Sequence, residues 1–159
     1  GDMKIDKILD GFIIANGLGW SPDNQTMYFT DTENRVILAF DFDIETGDIA
    51  ARRVFAHIAE DAGAPDGLAV DAEGGVWSAH WDGWRLTRYD PQGRIERVIE
   101  MPVPRPTSCA FGGDKLDRLF VTSASIGLSR EQLAEAPLSG GLFAIEAGIT
   151  GLVEPAFAG

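Results

Sequence analysis

At 159 residues, 45% of them hydrophobic and 24% charged, the chain is long enough for one sizeable core and too apolar for a disordered segment. A net charge of −12 argues against nucleic acid and membrane as partners and suits cation binding. A single cysteine excludes an internal disulfide framework, and the lack of a bilayer-length apolar run or a signal-peptide pattern leads to the expectation of a cytoplasmic protein.

Nineteen glycines and eight prolines fit many short turns, hence an all-β fold. In chain order, Lys4 to Leu9 reads as an outermost strand that ends at Asp10-Gly11, and Phe12 to Ala15 leads into a first four-stranded unit. Its strands are Leu18 to Trp20, Thr26 to Thr30, Val36 to Asp41 and Ile49 to Phe55. The acidic stretch Asp41 to Asp48 is expected to be a hairpin turn, because Thr46 and Arg52 stand where an EF-hand loop needs Gly and Glu. A second unit follows Asp66, with strands Leu68 to Asp71, Val76 to Trp81, Trp84 to Tyr89 and Arg94 to Glu100, and a tight turn at Asp82-Gly83. Met101 to Pro106, with its three prolines, reads as a linker. A third unit has strands Ser108 to Phe111, Arg118 to Ser123 and Gly141 to Ile145, and a last one near Val153 to Phe157. Its inserted loop, Leu128 to Ala136, predicts one helical turn with Ser129 as cap and Glu131 in the first turn.

These units repeat. Asn16-Gly17-Leu18 recurs 50 residues on as Asp66-Gly67-Leu68, and a weaker copy with Ser108 as its first position starts 42 residues after Asp66. Four short antiparallel strands at this period make one blade of a β-propeller. The chain therefore reads as a single partial propeller domain over 1–159: the end of an earlier blade at 1–11, then blades at 12–60, 61–104 and 105–159. Propellers close with about four to eight blades, so the chain is expected to be part of a larger ring.

Several stretches carry a family resemblance: Asn16 to Asp23 with Met27 to Asp31, Pro65 to Leu68 with Asp71 to Gly74 and Trp77, and Thr107 to Gly113. Together with Arg85 to Pro91 and the closing Ala158-Gly159, they resemble the regucalcin/gluconolactonase family, also known as the senescence-marker-protein and luciferin-regenerating-enzyme group. The match looks like the C-terminal half of that family's six-bladed propeller. The resemblance implies one divalent cation near the propeller axis and hydrolysis of a sugar lactone. It places Asn16 and Asp66 as metal ligands and Asp66 also as the catalytic proton donor and acceptor. The family's Glu ligand and its Arg, Asn and Glu substrate contacts belong to the other half. The expected partners are thus a sugar lactone and either a missing N-terminal half or a second copy of the chain.

The residues fit that implication. Asn16 and Asp66 open innermost strands at the same repeat position, where strands converge on the central channel. Their oxygens are hard donors, which favours Ca²⁺, with Mg²⁺, Mn²⁺ or Zn²⁺ as further options. Asn and Asp before Gly are also common turn residues, which is the plainer reading. The second strand of the middle blade should climb back to the channel mouth and end at His80-Trp81, where an aromatic ring can stack on a sugar. The alternative is that Trp81 packs between blades and His80 is a satisfied surface residue. By the same logic Asp31-Thr32 and Ser123 to Ser125 rim that mouth. Rival functions are a non-catalytic calcium-binding propeller and a related propeller esterase or organophosphate hydrolase.

Overall fold

A computed structural model describes residues 4–153, which form three antiparallel sheets. The first holds β1 (Ala15–Trp20), β2 (Thr26–Asp31), β3 (Val36–Phe42) and β4 (Ile49–His57). The second holds β5 (Ala64–Val70), β6 (Val76–Trp81), β7 (Arg85–Tyr89) and β8 (Ile95–Glu100). The third holds β9 (Pro106–Gly112), β10 (Arg118–Ser123) and β11 (Leu142–Glu146). Each sheet is a meander whose strands pair in chain order. This is the architecture of successive propeller blades.

In the first two sheets the middle strands are buried on both faces, and this explains their uninterrupted apolar runs. Val36 to Phe40 in β3 and Val76 to Ala79 in β6 are all buried, because each of these two sheets lies between two apolar layers. Tyr28, Ile37, Leu68, Val76 and Tyr89 fill the layer between the first two sheets. Trp77, Leu86, Val103, Cys109, Leu119 and Val121 fill the layer between the second and third. Cys109 is sealed there, and burial pushes its thiol up to about 12, as fits a packing residue. The outer strand β8 reads Ile-Glu-Arg-Val-Ile-Glu and is largely exposed, its charges blunting an edge that would otherwise invite pairing.

A buried ionic knot locks the middle blade. The carboxylate of Asp71 accepts from the Trp77 indole at 2.8 Å, from Arg88 Nε at 2.7 Å and from the Gly75 amide at 2.9 Å. Asp71 also bridges to Gly151, which ties the second sheet to the end of the third.

The structure corrects several expected elements. Lys4 to Leu9 is not a strand; only the chain from Ala15 onward is laddered, and Leu9 and Phe12 instead pack on the outer face of the first sheet beside Met27 and Phe40. Trp84 belongs to the turn, with φ of 55°, and so does Asp82 with φ of 57°; the connection is longer than a two-residue hairpin and β7 starts at Arg85. Pro106 ends the linker and opens β9. The helical turn is present as α1 (Arg130–Glu135), with a complete capping box between Ser129 and Gln132. Of the last expected strand, Val153 lies outside any strand and 154–157 fall outside the described residues. Among the described residues no helix is long and apolar enough to cross a membrane.

Candidate functional site

Asn16 and Asp66 each leave the chain at a β-bulge. In the first blade Ala15 pairs with Asp31 and Leu18 with Phe29, so one extra residue is held between them. The second blade repeats this: Pro65 pairs with His80 and Leu68 with Ser78. A bulge bends the strand and re-aims a side chain. Because the two bulges coincide in register, they turn Asn16 and Asp66 toward each other across the seam between blades. The third blade has its bulge between Pro106 and Ser108. That register makes Thr107, and not Ser108, the third member of the series.

The Asn-Gly and Asp-Gly pairs have a steric logic. A Cβ on Gly17 would lie 2.7 Å from the Asp66 carbonyl oxygen, and one on Gly67 would lie 2.8 Å from the Ser108 Cα. Innermost strands of neighbouring blades thus meet backbone to backbone beside the bulges. This close approach brings the amide of Asn16 within hydrogen-bonding reach of the Asp66 carboxylate. Burial pushes the Asp66 pKa up from its ordinary value, and the hydrogen bonds from Asn16 and the Gly67 amide oppose that rise. A desolvated carboxylate of this kind gains strongly from a nearby positive charge.

His80 and Trp81 end β6 at the same end of the sheet, since they pair with Pro65 and Ala64. His80 is only 1% exposed, so it is not a surface residue. Its Nδ1 lies 2.8 Å from the Ala62 carbonyl oxygen, which can only accept, so Nδ1 carries the proton. Nε2 is then a buried acceptor without a partner among the described residues, and burial lowers the His80 pKa to about 4. Trp81 is half-buried, with the Arg105 guanidinium 4.7 Å from its ring centroid. Arg105 also pairs with Asp82 at 2.6 Å and donates to the Ile126 carbonyl, which clamps the turn after Trp81 to the loop of the third blade.

Residues 1–125 match the family model described as the SMP-30/gluconolactonase/LRE-like region. The chain belongs to this family. It is 39% identical to regucalcin of Gallus gallus over 160 residues, covering 99% of this chain and 54% of that protein. Regucalcin of Homo sapiens is 37% identical over the same span. Among solved structures, a calcium-binding regucalcin from Agrobacterium tumefaciens superposes with a TM-score of 0.89 at 34% identity, covering 96% of this chain and 52% of that one. A gluconolactonase from Xanthomonas campestris gives 0.62 at 33% identity, covering 72% of this chain and 36% of that one. The chain spans about half the length of the curated relatives it matches, 54% for the regucalcins named here.

The residues present suit the divalent cation that the SMP-30/gluconolactonase/LRE-like family implies. Asn16 and Asp66 are oxygen donors brought side by side, and beside Gly17 the wholly buried Thr30 hydroxyl has no hydrogen-bond partner among the described residues. Among the described residues no group of three His, Cys, Asp or Glu could hold a metal by itself. Ca²⁺ takes about 6–8 oxygens, so two side chains would supply only part of such a set. The sequence alone did not reveal Thr107, because a bulge leaves no composition signal. It placed Thr32 on the rim of the channel mouth but did not reveal its contact with Asn16, whose Nδ2 donates to Thr32 Oγ1 at 3.3 Å.

Proposed function

We propose that the chain carries the cation-ligating and proton-transferring part of a metal-dependent sugar lactonase. Asn16 and Asp66 are its metal ligands and Asp66 its catalytic acid and base. The reading rests chiefly on the matched bulges, which turn an amide and a desolvated carboxylate toward one point between adjacent blades. Ca²⁺ is the first candidate, since a structural relative is a calcium-binding regucalcin. When bound, the cation polarises the lactone carbonyl and acidifies a water.

Asp66 accepts the proton of the attacking water as its oxygen adds to the carbonyl carbon. It returns that proton to the ring oxygen as the C–O bond breaks, so the carboxylate is regenerated each turnover. Asn16 has no proton to exchange and serves to hold and orient. Trp81 offers its open face to the sugar ring, and His80, buried behind it, binds the Ala62 loop and steadies the strand end. The remaining ligand and sugar contacts come from blades outside this chain, supplied by an N-terminal half or by a second copy.

The second reading is a calcium-binding propeller without turnover, favoured by the regucalcin relatives. A panel of aldonolactones and aryl esters, assayed on the complete propeller with and without chelator, separates the two. Chelator-sensitive lactone hydrolysis abolished by Asp66→Ala supports the enzyme. Ca²⁺ binding without turnover supports the second reading, and preference for aryl esters contradicts both.

A further inference from the structure

An amide and a carboxylate differ in one respect that matters to a cation. The carboxylate has two equivalent acceptor oxygens, whereas the amide has one acceptor and one donor. Rotated by half a turn, Asn16 would present an NH₂ group to a positive charge. Asp66 has no wrong orientation, so only Asn16 needs a device to fix its rotation.

That device is visible at the rim of the first blade. Asn16 Nδ2 donates to Thr32 Oγ1 at 3.3 Å. With Nδ2 held at the rim by Thr32, Oδ1 is the atom left to face an ion. Thr32 is well placed to hold it. It is 8% exposed, its amide donates to the Ile14 carbonyl at 3.3 Å, and its carbonyl accepts from the Arg35 amide at 3.1 Å. Its β-branched side chain is also stiff at χ1. The residue in the matching place of the second blade is Trp81, whose indole can only donate. Asp66 needs no acceptor there.

We infer that Thr32 is the positioning residue of the cation site, its hydroxyl capturing Asn16 Nδ2 and so turning Oδ1 toward the ion. This rests on the reading of Asn16 and Asp66 as ligands.

The test is a double-mutant cycle read by calorimetric titration of the complete propeller, this chain together with the remaining blades, with Ca²⁺. Thr32→Val keeps the shape and removes the acceptor, and it should weaken Ca²⁺ binding roughly three- to tenfold, the worth of one hydrogen bond. Thr32→Ser should restore wild-type affinity. In an Asn16→Asp background, where no rotation is wrong, Thr32→Val should change affinity by less than about twofold. Equal losses in both backgrounds, or no loss in either, overturn the inference while Asp66→Ala still abolishes binding. Failure of the wild-type complete propeller, with the remaining blades supplied, to bind Ca²⁺ overturns the ligand reading and this inference with it.

Discussion

Gly17 lies against Leu68: a Cβ built on Gly17 would sit 2.6 Å from the Leu68 amide nitrogen and 2.8 Å from Thr30 Oγ1. The first two blades therefore touch at backbone distance just where Asn16 and Asp66 project. Gly17→Ala must push β1 away from β5, at a cost of ~1–3 kcal/mol in stability. It should also separate the two ligands and weaken Ca²⁺ binding. Chemical denaturation and calorimetry check this, and wild-type values in both would contradict it.

Asp66 and Asn16 should fail differently. Asp66→Ala removes the proton carrier as well as a ligand, and lactone hydrolysis at saturating cation should fall by at least ~10²–10⁴-fold. Asn16→Ala should raise the cation concentration needed for half-maximal activity and leave most of kcat in place. Cation-dependence curves for the two variants distinguish a ligand from a ligand that also transfers protons.

His80 makes folding pH-dependent. Its pKa is about 4 in the fold against 6.5 for the free side chain. Between those values the unfolded chain binds the extra proton and the folded one does not. The contribution is therefore fully present above pH 6.5 and is lost as pH falls toward 4. The full swing is about 3 kcal/mol. Urea melts at pH 7 and pH 4.5 should differ less for His80→Gln than for wild type. An unchanged difference would mean that His80 does not titrate as its burial requires.

Trp81 and Arg105 should affect substrate binding more than folding. Trp81→Ala removes the stacking face, so KM should rise with kcat nearly intact. Arg105→Ala frees the ring and the Asp82 turn, and should give a smaller rise in KM with a stability change within ~1 kcal/mol. If Trp81→Ala instead lowers the melting temperature markedly at unchanged KM, the residue is packing.

What could be read from the chain followed its burial. Val36 to Phe40 and Val76 to Ala79 announce strands buried on both faces, and the Asn16-Gly17 and Asp66-Gly67 pairs announce the seam where blades meet. The cap at Ser129 was legible because a capping motif is local. Lys4 to Leu9 misled because its apolar residues suit a strand, whereas a strand also needs a neighbour to pair with. The bulges stayed hidden for a related reason. A one-residue shift in pairing belongs to two strands at once, so it moved the third repeat position to Thr107 and left the contact of Thr32 with Asn16 hidden until the register was seen. His80 looked like a rim residue from its position in β6; its burial depends on the Ala62 loop, which folds over it from earlier in the chain.

The most direct measurement is a crystal structure of the complete propeller grown with Ca²⁺. The ion is predicted between the first two blades, about 2.3–2.6 Å from Asn16 Oδ1 and from an oxygen of Asp66. Thr32 Oγ1 should remain on Asn16 Nδ2. Ca²⁺ bound elsewhere, touching neither Asn16 nor Asp66, would contradict the account.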